Sequence, residues 1–178
     1  MEKIKLHLGS GGKKIEGYTN VDIRYLPGVD EVANVRFLRQ YKENSVNTIY
    51  ASHVLEHFGR WEYQSVLKRW YEILEEGGTL RIAIPNFEAI CQWYLKTGDL
   101  SKIMGLLYGG QDYDENFHYV TFDRKSIERD LKEIGFKEVR VYDREKTEHS
   151  DVDDYSAAYL PHGDKNGMLM SLNIEAIK

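Results

Sequence analysis

Apolar positions along this chain follow two different rhythms. Short runs of strand character cover Lys3–Leu8, Thr19–Ile23, Glu31–Val35, Val46–Ala51 and Thr79–Ile84, and two more cover Lys137–Tyr142 and Leu169–Ile177. Helical spacing lies between them. From Trp61 to Glu76, the residues Val66, Leu67, Trp70, Tyr71, Ile73 and Leu74 recur three and four apart, which predicts a helix stopped by the Gly77-Gly78 pair. Phe87–Lys96 and Leu100–Tyr108 read the same way. Asp123 is a good N-cap for a further helix, because its carboxylate can accept from the free amides of a first turn. That helix carries Ile127, Leu131 and Ile134 on one face and ends at Gly135. Strand, helix and strand in alternation predict an α/β fold around an open, mostly parallel sheet. Ligands of such sheets bind beyond the carboxyl ends of the strands.

Composition narrows the picture. The chain has 178 residues, 42% hydrophobic and 30% charged, and no Pro-, Ser- or Gly-rich linker divides it, so a single domain over 1–178 is expected. A net charge of −5 offers a polyanion no bulk attraction and no basic patch offsets it, so a nucleic-acid partner is not expected. The N-terminus reads as no signal peptide, and no run approaches the roughly eighteen apolar residues of a membrane span, so no membrane insertion is expected. The single cysteine, Cys91, excludes an intrachain disulfide and fits a reducing cytoplasm. Near Ile90 and Trp93 it reads as a small buried apolar residue. Oligomeric state is not legible.

Candidate chemistry begins at "LHLGSGG", Leu6–Gly12, where an apolar strand runs into a turn with three glycines in four positions. Glycine accepts positive φ and has no Cβ, so a ligand can approach the backbone closely. A dinucleotide site wants G-x-G-x-x-G, a full helix to hold the pyrophosphate, and an acid about twenty residues later. Here the acid, Asp22, comes early, and Gly9–Tyr18 leaves room for a helix of only a turn or two. A ligand with a ribose, a small carboxylate and no diphosphate fits better, and S-adenosylmethionine is such a molecule. Read alone, Asp22 is equally a solvated acid at a strand end, and Asn34 a turn former.

"LHLGSGG", "NVDI", "NSVNTIYASHVLEHF" and "LEEGGTLRIAIPN" resemble, in that order, the successive motifs of class I S-adenosylmethionine-dependent methyltransferases. The likeness covers Lys3–Pro85, and "GFKEVRVYD" and "SLNIEAIK" are similar to the closing antiparallel strands of that fold. It implies a Rossmann-like, seven-stranded, mostly parallel sheet with an antiparallel last strand and helices on both faces. The short first crossover and "HVLEHF" resemble small predicted methyltransferases linked with surface-polysaccharide biosynthesis. By that resemblance Leu8, Gly9, Ser10 and Gly11 wrap the methionine portion, Asp22 accepts from the ribose hydroxyls, and Ile23 lies against the adenine. Asn34 and Val35 flank the adenine, while Ser52 and His53 border the sulfonium. The family often has an acid two residues before the first glycine; this chain has His7, which carries no fixed negative charge.

Methyl transfer from sulfur is an in-line displacement, so an enzyme must align the acceptor and, for a hydroxyl, take its proton. His53, His57 and His118 are the candidates, each equally readable as a structural histidine, with His118 or His53 preferred as the base. His53 and His57 share a face if "HVLEH" opens a helix, but no third ligand is evident, so no metal is expected. Asp112 and Asp114 are the fallback carboxylates. Two irregular stretches, 107–123 and 143–168, read as lid or acceptor loops. Within the second, Asp151, Asp153 and Asp154 lack the glycine and distal glutamate of a calcium loop and read as a solvated acidic turn. "SHVL" after the fourth strand does not resemble the Asn- or Asp-Pro-Pro-aromatic motif of enzymes that methylate DNA bases. The expected acceptor is a small-molecule or glycan hydroxyl. A cofactor-binding module without turnover and a nicotinamide-dependent oxidoreductase remain the alternatives.

Overall fold

The structure is a computed structural model that describes residues 3–178; residues 1 and 2 of the expected domain lie outside the described residues. In chain order the strands are β1 (Ile4–Leu8), β2 (Thr19–Asp22), β3 (Glu31–Val32), β4 (Val46–Ser52), β5 (Leu74–Pro85), β6 (Glu138–Val141), β7 (Tyr159–Leu160), β8 (Met168–Leu169) and β9 (Ser171–Ile177). The helices are α1 (Tyr63–Ile73), α2 (Phe87–Thr97), α3 (Met104–Tyr108) and α4 (Arg124–Ile134). Seven strands form one sheet in the order β3-β2-β1-β4-β5-β9-β6, and β7 pairs with β8 in a separate hairpin. Only β9 runs against its neighbours, antiparallel to both β5 and β6. The expected mostly parallel sheet with an antiparallel last strand is therefore present.

Period-two alternation divides the sheet into unlike faces. Leu6 and Leu8 of β1, Ile49 and Ala51 of β4, Leu80, Ile82 and Ile84 of β5, and Ile174 and Ala176 of β9 meet Val66, Leu67 and Trp70 of α1 and Ile127 and Leu131 of α4 in one apolar core. Their alternates, His7, Tyr50, Arg81, Asn173 and Glu175, point to the opposite face. That face is covered by 143–158, which includes short 3-10 helical turns at Arg144–Lys146 and Tyr155–Ala157. Asn173 Nδ2 donates to Ser156 O at 3.0 Å, and the buried Arg144 guanidinium donates to Ser150 O, Val152 O and Ser156 Oγ.

Several local expectations need correction. No helix forms between β1 and β2, where residues 9–18 are turns. The strand expected over Glu31–Val35 stops at Val32, because Val35 turns inward, is buried, and accepts from Trp70 Nε1 at 2.9 Å. The helix expected to run to Glu76 ends at Ile73, and the chain enters β5 at once. Gly77-Gly78 is not its stop but a bulge in β5: Val46 pairs with Leu74 and Thr48 with Thr79, so residues 75–78 loop out opposite Asn47. A Cβ on Gly78 would stand 2.7 Å from Glu75 O, which explains glycine there. Leu169 belongs to the small hairpin, and β9 starts at Ser171. Asp123 does cap α4, its carboxylate accepting from Ser126 N in a reciprocal capping box.

Candidate functional site

Strand order reverses between β1 and β4, the position where open α/β sheets place their ligands. The turn after β1 and the segment after β4 meet there. Gly9 and Gly11 have φ of 64° and 58°, values that favour glycine. A Cβ on Gly9 would lie 2.4 Å from Val54 Cγ2, so the first glycine is needed for packing against the β4 exit as well as for its backbone. A Cβ on Gly11 would meet nothing within 4 Å, so this glycine faces open space. Asp22, at the end of β2, is buried and ties the turn down: Oδ2 accepts from Gly11 N at 2.7 Å, and Oδ1 accepts from Arg24 N at 2.9 Å. The fixed carboxylate is thus not a solvated strand-end acid. Ser10 Oγ and Ser52 Oγ are buried and have no hydrogen-bond partner.

The remaining predicted contacts surround this turn unevenly. Leu8 is fully buried in the core beneath it, while Ile23 is exposed beside Asp22. Asn34 Oδ1 accepts from Arg36 N at 3.0 Å, so the amide holds its own turn and keeps one lone pair. His7 is buried, with Nδ1 3.1 Å from Asn20 Oδ1, and burial lowers its pKa below 6.5. It is therefore a neutral part of the sheet's polar face rather than a charged substitute for the missing acid.

Loop 107–123 crosses the carboxyl ends of β2 and β4. Tyr113 stacks under the Arg24 guanidinium at 4.1 Å, and Tyr119 N donates to Glu56 O at 2.9 Å. Asp112 and Asp114 are exposed, and Asp112 accepts from Asn116 Nδ2 within the loop. The 143–168 stretch is packed against the sheet as described. Its acidic cluster splits accordingly: Asp151 and Asp153 are exposed, whereas Asp154 accepts from Tyr50 Oη at 2.5 Å and caps Ser156, a correction to the solvated turn.

"HVLEH" does not form an α-helix. His53 adopts φ 53°, its amide donates to Ala83 O at 2.8 Å, and Leu55–His57 make a single 3-10 turn. This geometry turns His53, Glu56 and His57 toward His118. Glu56 is fully buried, with Oε1 3.1 Å from His53 Nδ1 and 3.9 Å from His118 Nε2. The rings of His57 and His118 meet edge to face at 4.7 Å. Burial opposes ionisation of Glu56, but His53 beside it, through charge and hydrogen bonding, leads the contacts that hold the carboxyl below its ordinary pKa. Burial lowers His118 below 6.5, so that ring is neutral at pH 7.

Hydrogen bonding assigns the tautomers. Ser171 Oγ donates to Tyr155 O, so His53 Nε2, 2.7 Å away, must donate to Ser171 Oγ, and its Nδ1 faces Glu56. Both nitrogens of His53 are therefore engaged. Glu56 is the cluster residue that the sequence reading did not single out, for His118 lies 62 residues away in an irregular loop.

A cleft of about 620 Å³ lies elsewhere, between α2 and α4, lined in part by Phe87, Cys91, Asp123 and Lys132. Cys91 is half-buried at its wall, not buried as expected, because α2 buries only Ala89 and Ile90. Among the described residues no helix is long and apolar enough to cross a membrane.

No protein-family model and no curated protein matches the chain. Solved structures do resemble it. A SAM-dependent methyltransferase from Archaeoglobus fulgidus superposes with a TM-score of 0.60 at 14% identity, covering 99% of this chain and 86% of that one. A SAM-dependent methyltransferase from Thermotoga maritima, described as a possible histamine N-methyltransferase, gives 0.58 at 18% identity, covering 100% and 83%. The 1,6-didemethyltoxoflavin-N1-methyltransferase of Burkholderia thailandensis, with bound 1,6-didemethyltoxoflavin and S-adenosylhomocysteine, gives 0.58 at 14%, covering 98% and 70%. The chain has the fold of these methyltransferases.

Proposed function

We propose that this protein is an S-adenosylmethionine-dependent methyltransferase acting on a small-molecule or sugar hydroxyl. The observation that carries the reading is the buried Asp22 carboxylate bonded to the Gly11 amide at the switch point, beside two buried serine hydroxyls with no partner of their own. Gly9, Ser10 and Gly11 would hold the methionine end. Asp22, whose Oδ2 accepts only from Gly11 N and whose Oδ1 would exchange its long contact to Arg24 Nε, would take the ribose hydroxyls. Ile23, Asn34 and Val35 would flank the adenine, and Ser52 and His53 the sulfonium. Bound there, the cofactor supplies an electrophilic methyl group. The chain's own residues then align an acceptor under loop 107–123, which we read as the lid. The neutral His118 ring, on that loop, is better suited to take a hydroxyl proton than His53, whose nitrogens are both engaged.

The absence of a helix after the glycine turn weighs against a nicotinamide dinucleotide, whose pyrophosphate wants a helix N-terminus. Calorimetry with S-adenosylmethionine, S-adenosylhomocysteine and NAD tests the reading. The first two are expected to bind and NAD is not. Asp22→Ala should weaken binding at least tenfold, since two charge-assisted hydrogen bonds are each worth about 1.5–3 kcal/mol. Unchanged affinity in a folded Asp22→Ala variant rejects the placement. Methyl-donor turnover over a panel of hydroxyl acceptors separates an enzyme from a binding module.

A further inference from the structure

We propose that Glu56, His57 and His118 form a binding site for a divalent first-row transition-metal ion, with Zn²⁺ the best match. One potential ligand atom from each side chain lies within 4.8 Å of the other two. His57 Nδ1 is 3.1 Å from Phe117 O and His118 Nδ1 is 2.9 Å from Leu106 O. A carbonyl oxygen only accepts, so both Nδ1 atoms carry protons, and a ring in its neutral form presents Nε2 as a lone pair to a metal ion. The Glu56 carboxylate among them is fully buried; Oε1 meets His53 Nδ1 at 3.1 Å without good hydrogen-bond alignment, and Oε2 has no partner. A fully buried carboxylate with two half-buried imidazoles gathered around it forms a donor set for a cation.

The donor set selects the ion. Two imidazoles and one carboxylate are the protein ligands of a zinc site that keeps its fourth position open, whereas Ca²⁺ and Mg²⁺ take oxygen ligands. Each imidazole already donates its other N–H to a backbone carbonyl, the outer contact that orients metal-bound histidines. Tetrahedral bonds of about 2.1 Å put neighbouring ligand atoms about 3.4 Å apart. His118 Nε2 and Glu56 Oε1, at 3.9 Å, need a movement of about half an ångström. His53 stands outside the set as a positioning residue against Glu56. Glu56 follows Ser52 by four residues, which sets the cluster beside the transfer region of the proposed methyltransferase. That last point rests on the methyl-transfer reading; ion binding does not. With an ion in place, the Nε2 of His118 becomes a ligand and is no longer free to take the acceptor proton.

The test is titration of tag-free, chelator-treated protein with Co²⁺, followed in the visible spectrum, and with Zn²⁺ by calorimetry, both without cofactor. One ion per chain is expected. Glu56→Gln and His118→Gln should each weaken uptake at least tenfold, while His162→Gln, exposed and distant in sequence from the cluster, leaves it unchanged. The wild-type protein suffices to overturn the proposal: no saturable one-to-one uptake by folded chain means no site. Uptake that survives undiminished in a folded His57→Gln/His118→Gln double variant overturns it too. Because no cofactor is present, failure here leaves the methyl-transfer reading standing, and failure of cofactor binding leaves this one.

Discussion

At the scale of single residues, the two glycines of the turn serve different ends, and substitution separates them. Gly9 combines a positive φ with a Cβ direction 2.4 Å from Val54 Cγ2, while Gly11 has only the φ. Gly9→Ala should therefore cost about 2–4 kcal/mol and Gly11→Ala about 1 kcal/mol, the difference being steric overlap. Val54→Ala in the Gly9→Ala background should recover about 1 kcal/mol by making room. Urea denaturation of these three variants and of Val54→Ala alone measures this; equal costs with no coupling to Val54 would show that the overlap is relieved some other way. These glycines and Asp22 were legible in the sequence because their roles depend on local backbone and on a strand end only eleven residues from Gly11. Glu56 was not, since a carboxylate within an apolar-looking "HVLEHF" acquires meaning only when a distant loop brings His118 beside it.

Elements were legible where their ends are chemically marked. The Asp123 cap and the Gly135 stop bound α4 as expected, whereas Gly77-Gly78 carried the same stop signal and served a bulge, because β5 already begins at Leu74. Glycine reports backbone freedom, not which element uses it. The 107–123 loop has no periodicity, yet the fold gives it defined anchors: Tyr113 on Arg24 near β2, and Tyr119 N on Glu56 O after β4. Arg24 in turn touches Asp22, with Nε 3.4 Å from Oδ1, so the loop's anchor and the proposed ribose contact share one guanidinium. A cation–π contact at a partly exposed site is worth about 0.5–1 kcal/mol. Tyr113→Ala should accordingly raise amide exchange across 110–118 by about two- to fivefold and weaken S-adenosylmethionine binding by a similar factor, with little change in melting temperature. Exchange identical to wild type would mean that the stack does not hold the loop.

Across the whole molecule, the unlike faces of the sheet distribute stability and pH sensitivity unevenly. One face is apolar and closed by α1 and α4; the other is a polar layer beneath 143–158, which the alternation of β1, β4, β5 and β9 implied but whose cover had no pattern of its own to read. His149 lies at the centre of that layer, buried and stacked on Tyr50 at 3.8 Å, with neither ring nitrogen hydrogen-bonded. Arg81, Arg144, Asp154, Glu148 and Tyr142 are the charged and titratable groups around it. Burial, followed by Arg81, pushes its pKa from 6.5 down to about 4, against the opposing pull of Asp154 and Glu148. The folded state thus favours the neutral ring. Its contribution is complete above pH 6.5 and is lost as pH falls from 6.5 toward 4, where the unfolded chain binds the proton first. Glu148 acts in a lower window: despite burial, Tyr18 and Arg81 hold it at about 2, so its share is lost only between 4.5 and 2. His149→Phe keeps the ring stack and removes the proton site. Urea midpoints of the wild-type protein should fall between pH 6.5 and 4, those of His149→Phe should fall less steeply there, the remainder coming from His7 and His118, and both should fall together below pH 4. Parallel losses in the upper window would place the acid sensitivity outside the 143–158 cover and overturn His149 as its origin.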